Sequence, residues 1–193
     1  HALHGVHGRA LTYASGIKLA NPELNVIVTM GDGGLGIGGA HVLAACRRNL
    51  DLTLIILNNF NFGMTGGQYS ATTPTDAIVG SEFLNQAEIP LDICAIAESA
   101  GATYIDRCSG LDPALPEKIV KAMEHRGFSI IETLGMCTGR YTKRNKLTPK
   151  VIDKIISDLP EKSGIIEKNK RPEYGERYRA LSKERTRFFE AVT

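Results

Sequence analysis

Two polar clusters directly follow two apolar runs of this sequence, and both contain residue types that bind metal ions. Asp32 stands among glycines in GDGGLGIGG, and the pair Asn58 and Asn59 comes after the next apolar run, about two dozen residues later. A carboxylate and an amide oxygen are hard ligands that suit Mg²⁺, which takes few protein ligands plus phosphate oxygens. Glycines beside Asp32 let backbone N–H groups approach a diphosphate. The pattern therefore predicts Mg²⁺ together with a diphosphate-bearing cofactor.

Each cluster alone also has an ordinary interpretation. Asp-Gly after a strand is a common turn signal, and Asn-Asn often begins a loop. Because the two clusters stand at the ends of successive strands, a shared binding site is favoured over two unrelated turns. A dinucleotide-binding motif is not favoured, because Asp32 stands where that motif needs open backbone. A Walker A loop is excluded because no Gly-Lys-Ser/Thr follows.

The elements that position these clusters are strands alternating with helices. We predict strands at 25–30, 52–57, 102–105 and 128–133, a turn at 31–34, and helices at 11–20, 37–48, 91–100, 115–125, 149–159 and 174–191. This alternation predicts a doubly wound α/β fold with a mostly parallel sheet and helices on both faces. Ligands of such sheets bind at the carboxyl ends of the strands, where both clusters fall.

Composition limits the partners and the compartment. The chain has 193 residues, of which 42% are hydrophobic, and a net charge of +2, so we expect neither nucleic acid nor a membrane as a partner. The four cysteines are scattered without a Cys-x-x-Cys pair, which favours a reducing, cytoplasmic setting. We divide the chain into an α/β domain at 1–150 and a charged helical extension at 151–193. Because the sequence begins at His1 without a methionine, we expect a longer subunit.

The sequence around the two clusters resembles a known family over about residues 4 to 150. The GDG and NN pair is similar to the thiamine diphosphate fold motif. The longer segments resemble the β subunit of 2-oxoacid:ferredoxin oxidoreductases, the 2-oxoglutarate synthase type in particular. These segments are HGRALTYASGIKLANPELNVIVTMGDGG, IGGAHVLAACRRN, NNFNFGMTGGQYSATTP and GFSIIETLGMCTGRYTKRNK.

The resemblance implies a role for individual positions. Mg²⁺ would be bound by Asp32, by the side chain of Asn59 and by the backbone carbonyl of Asn61. His7 would lie near the cofactor, although it could instead be a capping or core histidine, or form a metal site with other histidines of the terminus. Contacts with thiamine diphosphate are implied for Gly33, Gly34, Gly63 and Met64.

Cys137 has two interpretations. From the sequence alone, a cysteine after an apolar strand is a buried structural thiol. In the family that this chain resembles, the cysteine at this place is one of four ligands of a [4Fe–4S] cluster. The other three come from an N-terminal region that this chain does not contain, and Cys46, Cys94 and Cys108 do not match it. A lone Cys137 cannot hold a four-thiolate cluster.

The resemblance also implies the activity and the partners. It implies oxidative decarboxylation of a 2-oxoacid, with 2-oxoglutarate favoured, to an acyl-CoA and CO₂, with electrons passed to ferredoxin. Coenzyme A would be the second substrate. No glutamate of this chain matches the catalytic glutamate of thiamine enzymes, so it is expected from a partner α subunit. The alternatives are a thiamine enzyme without redox chemistry, of the decarboxylase or synthase type, and a non-catalytic α/β scaffold subunit.

Overall fold

The chain forms one five-stranded sheet flanked by helices. The computed structural model describes residues 1 to 192 of the chain, and the side chains of residues 1 to 184. The strand order is β1-β2-β4-β3-β5, in which β1 to β4 are parallel and β5 runs antiparallel to β3. The strands are β1 (Ile27–Gly31), β2 (Thr53–Asn58), β3 (Tyr104–Ser109), β4 (Ser129–Leu134) and β5 (Ser163–Ile165).

Helices cover both faces of this sheet, as the alternating pattern predicts. One buried cluster joins α1, α3 and α4 to β1, β2 and β4, whereas α5 packs on the opposite face against Tyr104, Cys108 and Ile131. The helices are α1 (Ala10–Ala20), α2 (Asp32–Ile37), α3 (Gly39–Arg48), α4 (Ile93–Ser99), α5 (Leu115–Glu124), α6 (Tyr141–Arg144), α7 (Pro149–Asp158) and α8 (Tyr174–Val192).

The central strands β2 and β4 are buried on both faces. Every residue of β4 is buried, and so is every residue of β2 except Leu57. Strands that are covered on both faces read as continuous apolar runs, which is the pattern from which they were predicted. Among the described residues, no helix is long and apolar enough to cross a membrane.

The glycine-rich segment after β1 differs from the prediction. We predicted a turn at 31–34, but the structure has the short helix α2 (Asp32–Ile37), and Gly38 separates it from α3. The N-terminal segment passes close to Gly38, where a Cβ would lie 2.1 Å from the carbonyl oxygen of Gly8. Glycine is therefore required at this crossing, and the predicted single helix 37–48 begins two residues later.

The C-terminal part contributes a strand that the sequence analysis did not predict. β5 pairs with β3 in the register Tyr104↔Ile165. The segment after β5 is fixed by Arg171, whose guanidinium donates to the carbonyl oxygens of Cys46 at 2.6 Å and Gly101 at 2.7 Å. This part of the chain therefore completes the sheet edge, while the division at residue 150 stays a prediction.

Candidate metal and cofactor site

Three neighbouring parallel strands end at one edge of the sheet. The register pairs Gly31 with Leu57, and Asn58 with Leu134. The residues that follow β1, β2 and β4 therefore leave the sheet side by side. This edge is the usual ligand-binding edge of a doubly wound sheet.

Asp32 is the buried acid of this edge. Its side chain is almost inaccessible, at 1% exposure. Oδ2 accepts hydrogen bonds from Ser70 Oγ at 2.5 Å and from Thr72 Oγ1 at 3.4 Å, and Oδ1 accepts from the Asn59 N–H at 3.5 Å. Burial raises the pKa of this carboxyl, and the hydrogen bonds from Ser70, Asn59 and Thr72 oppose that rise. The carboxylate is thus desolvated and held at a fixed place, as a metal ligand would be.

The side chain of Asn59 converges with Asp32 and Asn61. Its amide atom that faces them lies 3.3 Å from Asp32 Oδ1, 2.8 Å from the Asn61 carbonyl oxygen and 3.0 Å from Asn61 Oδ1. An amide nitrogen here donates to these oxygens, whereas an amide oxygen completes a group of four oxygens. Which one faces inward depends on what binds there, because heavy atoms alone do not distinguish them.

This spacing fits a magnesium ion. Oxygens bound to Mg²⁺ at about 2.1 Å and at right angles to each other lie about 3.0 Å apart. The three distances around the Asn59 amide bracket that value. The Asn59 side chain is therefore spaced from Asp32 Oδ1 and from the Asn61 carbonyl oxygen as two neighbouring ligands of one Mg²⁺ ion would be.

The turn that carries Asn59 and Asn61 contains a strained residue. Phe60 has φ of 63°, the left-handed region that residues with a Cβ rarely adopt. Its N–H donates to Asn58 Oδ1 at 3.2 Å, and its carbonyl accepts from Thr73 Oγ1 at 2.6 Å. The Phe60 ring packs on Tyr141, with ring centroids 5.6 Å apart. Strain held by surrounding contacts is typical of functional sites.

The glycines and His7 predicted to contact the cofactor surround this turn. A Cβ at Gly33 would lie 2.4 Å from the Phe62 ring, and one at Gly34 would lie 3.4 Å from His7. His7 is exposed and meets Phe62 edge to face, at 5.9 Å between centroids. Met64 is fully exposed, at 100%. The structure therefore brings His7 and Gly34 to the same edge and leaves the Met64 side chain in solvent.

Cys137 lies beside the same turn. A Cβ at Gly63 would lie 3.0 Å from Cys137 Sγ. Burial raises the pKa of the Cys137 thiol, but hydrogen bonds from the backbone of Tyr141 and Arg140 and from the Asn61 side chain outweigh it, and the pKa lies below its ordinary value. Cys137 is thus partly accessible and its pKa is depressed, unlike that of a buried structural cysteine.

The other three cysteines are buried, unlike Cys137. Burial raises the pKa of Cys46 to about 12 and that of Cys108 to about 11, and it also raises the pKa of Cys94. The residues that the structure describes therefore offer one accessible cysteine side chain at this edge. A four-thiolate cluster does not fit this chain by itself.

Sequence reasoning missed three residues of this edge. Ser70 and Thr72, which bind Asp32, come from the long irregular segment, where no periodicity marks a position. Glu132, whose Oε1 accepts from Asn58 Nδ2 at 2.8 Å, lies within β4. A glutamate inside the apolar run SIIETL was a signal that could have identified it.

Comparisons with known proteins identify the family of the chain. Residues 1–133 match the family described as "Thiamine pyrophosphate enzyme, C-terminal TPP binding domain". The 2-oxoglutarate synthase subunit KorB of Archaeoglobus fulgidus is 50% identical over 137 residues, which are 70% of this chain and 51% of that protein. The 2-oxoacid:ferredoxin oxidoreductase subunit beta of Saccharolobus solfataricus is 44% identical over 163 residues, 82% of this chain and 52% of that protein.

A solved structure has the same fold. It is the 2-oxoglutarate:ferredoxin oxidoreductase of Magnetococcus marinus with 2-oxoglutarate, coenzyme A and succinyl-CoA bound. The two chains share 26% identity with a TM-score of 0.75, over 94% of this chain and 68% of the other. This chain spans about half the length of the curated relatives just named. Since the family match covers more than half of the sequence, the chain belongs to the thiamine pyrophosphate enzymes and carries their C-terminal TPP-binding domain.

Proposed function

We propose that this chain binds thiamine diphosphate through Mg²⁺ and acts as part of the β subunit of a 2-oxoacid:ferredoxin oxidoreductase. The observation that carries the proposal is the position of the Asn59 amide, which lies 3.3 Å from Asp32 Oδ1 and 2.8 Å from the Asn61 carbonyl oxygen. This donor set and its spacing suit one octahedral ion whose remaining ligands include diphosphate oxygens. Gly33, Gly34, Gly63, Met64 and His7 are the proposed contacts with the cofactor.

The proposed reaction is the oxidative decarboxylation of a 2-oxoacid to an acyl-CoA and CO₂, with ferredoxin as electron acceptor. 2-Oxoglutarate is the favoured substrate, because several relatives are named 2-oxoglutarate synthase subunits. When bound, the thiamine cofactor supplies the ylid and the electron sink. The residues of this chain hold the diphosphate and orient the cofactor at the sheet edge.

A partner α subunit is proposed to complete the active site. The buried glutamate nearest to the site, Glu132, accepts hydrogen bonds from Asn58 and Arg107. Its oxygens are therefore engaged within the sheet and do not serve the cofactor. The catalytic glutamate is assigned to the α subunit, which places the active site at a subunit interface.

Cys137 is proposed as one thiolate ligand of a [4Fe–4S] cluster whose other ligands lie outside this chain. Its support is the depressed pKa of the thiol and its place beside Asn61 and Gly63. A cytoplasmic location is proposed as well, because all four cysteines are free thiols.

The test is a calorimetric titration of thiamine diphosphate into the full β subunit, alone and assembled with its α partner. Mg²⁺ is present in one series and removed by a chelator in the other. Binding that requires Mg²⁺ and tightens with the partner is expected. Binding that is equal in the two series would exclude the metal site, and absence of binding in the assembled complex would return the chain to a non-catalytic scaffold.

A further inference from the structure

Glu132 and Arg107 form an ion pair in the middle of the sheet. Arg107 Nε donates to Glu132 Oε2 at 2.8 Å, and the side chains are only 2% and 5% exposed, respectively. The Arg107 guanidinium also binds Asp92 and donates to the carbonyl oxygen of Pro160 at 3.3 Å. A buried pair of this kind adds little to stability, because desolvation offsets the attraction of the charges. The presence of this ion pair between β3 and β4 therefore needs an explanation other than stability.

The pair is not a second metal site. Asp92, Cys94 and Glu132 are close enough to one another to share an ion. However, the Arg107 guanidinium binds both carboxylates, and Cys94 Sγ donates to Glu132 Oε2 at 3.4 Å. A guanidinium already supplies the positive charge that a metal ion would bring.

Glu132 instead fixes the orientation of Asn58. Glu132 Oε1 accepts from Asn58 Nδ2 at 2.8 Å, and Asn58 is 2% exposed. Because a carboxylate only accepts, it holds the NH₂ group of Asn58 toward itself. Asn58 Oδ1 must then point the other way, where it accepts from Thr72 Oγ1 at 2.8 Å and from the Phe60 N–H at 3.2 Å.

Both contacts of Asn58 Oδ1 lead to the proposed magnesium ligands. Thr72 Oγ1 lies 3.4 Å from Asp32 Oδ2. The Phe60 N–H belongs to the left-handed residue between Asn59 and Asn61. One amide orientation therefore holds the Thr72 hydroxyl beside the carboxylate ligand and anchors the turn that carries the other two ligands.

We propose that Glu132 and Arg107 are positioning residues that act through Asn58 to hold Asp32, Asn59 and Asn61 in magnesium-binding geometry. This inference rests on the proposed function. The network then contributes to metal affinity separately from its contribution to folding. Partners beyond the ligands of a metal site alter its affinity by about 10–100-fold when they are removed.

The test compares Glu132→Gln with Asp106→Asn in the assembled complex. Glutamine keeps the size of Glu132 but has one acceptor oxygen, so either Asn58 or Arg107 loses its partner. Asp106 precedes Arg107 in β3, points to the opposite face, and pairs with Lys118 at 2.8 Å, so Asp106→Asn weakens another ion pair of this strand away from the site. The measured quantity is the Mg²⁺ concentration that gives half-maximal thiamine diphosphate binding.

We expect Glu132→Gln to raise that concentration about tenfold, with full binding restored by excess Mg²⁺. Asp106→Asn is expected to leave it unchanged even where its melting temperature falls. If Glu132→Gln does not fold, Thr72→Val serves in its place, because it removes the hydroxyl between Asn58 and Asp32 while keeping the shape of the side chain. The same rise is expected for it.

Three results would overturn the inference. A wild-type Mg²⁺ requirement in the glutamine or valine variant would show that the network does not position the ligands. An equal rise in Asp106→Asn would show general loosening of the sheet. Absence of Mg²⁺-dependent binding in the wild-type complex would remove the proposed function and this inference with it, whereas the first two results leave the proposed function standing.

Discussion

Phe62 packs against Gly33 so closely that a Cβ at Gly33 would lie 2.4 Å from the ring. Gly33 follows Asp32, and Phe62 follows Asn61, so the contact joins the two segments that supply the proposed ligands. Gly33 must therefore lack a Cβ, both so that this ring can pack against it and so that its backbone stays accessible. This relationship makes Gly33 a sensitive position of the site.

Gly33→Ala should displace the Phe62 ring and weaken Mg²⁺-dependent binding of thiamine diphosphate. Overpacking of this kind destabilises by about 1–3 kcal/mol. Gly16→Ala is the matched control, because a Cβ at this exposed position of α1 would meet nothing within 4 Å, and the change should stabilise by about 0.5–1 kcal/mol. Chemical denaturation and calorimetry measure the two effects. Unaltered binding in Gly33→Ala would show that Phe62 moves aside without disturbing Asn61.

Asp32→Ala should abolish Mg²⁺-dependent binding of thiamine diphosphate, because it removes the charged member of the converging oxygens. The 1% exposure of Asp32 means that water does not replace the lost carboxylate easily. Asp153→Ala removes the same charge from an exposed position of α7 and should leave binding as in the wild type. Calorimetric titration with and without Mg²⁺ gives the answer. If binding by Asp32→Ala still required Mg²⁺, the metal would have to be held by other ligands.

Three of the parallel strands were predictable because they contain apolar runs: β1, β2 and β4 lie within two residues of their predicted ends. For β3 the prediction ended at residue 105 and missed the polar half of the strand, Asp106 to Ser109. β5 (Ser163–Ile165) was missed because three residues show no periodicity, and its pairing with β3 is set by tertiary contacts. α2 was missed because its glycines disfavour a helix in isolation, whereas burial of Leu35 in the core holds it in place.

The site was predictable where residue type and strand end coincide. Asp32 and Asn59 follow strand ends, and the structure brings them together as that reasoning requires. Ser70 and Thr72 were not predictable, since they reach Asp32 through an irregular segment whose path depends on tertiary packing. The resemblance supplied Asn61 and Cys137, which no spacing rule identifies.

Cys137 should be the first cysteine to react when the native β subunit, freed of iron, is treated with iodoacetamide. It is partly exposed, whereas Cys46 and Cys94 are 0% exposed and Cys108 is 3% exposed. Thiolates react and buried thiols do not. Mass spectrometry of peptides gives the order of labelling, and Cys137→Ser should abolish the fast phase. Simultaneous labelling of all four thiols would indicate that the fold opens on the timescale of the reaction.

His125 should make the stability of the fold depend on pH below its ordinary pKa of 6.5. Its Nε2 lies 2.8 Å from Thr103 Oγ1, which also donates to Asn49 Oδ1. Burial lowers the pKa of His125, and the charge of Asp51 opposes that shift in part. The unfolded chain therefore takes up a proton at this residue at a higher pH than the folded chain does.

The sign follows from that difference. The contribution of His125 to stability is fully present above pH 6.5, and it is lost as the pH falls from there toward the lower pKa of the folded state. His125→Gln keeps an N–H for Thr103 without titrating, so its melting temperature should fall less than that of the wild type between pH 7 and pH 5. His4→Gln serves as the control, since the His4 side chain is exposed. Parallel melting curves for wild type and His125→Gln across this range would show that folding does not lower the pKa of His125.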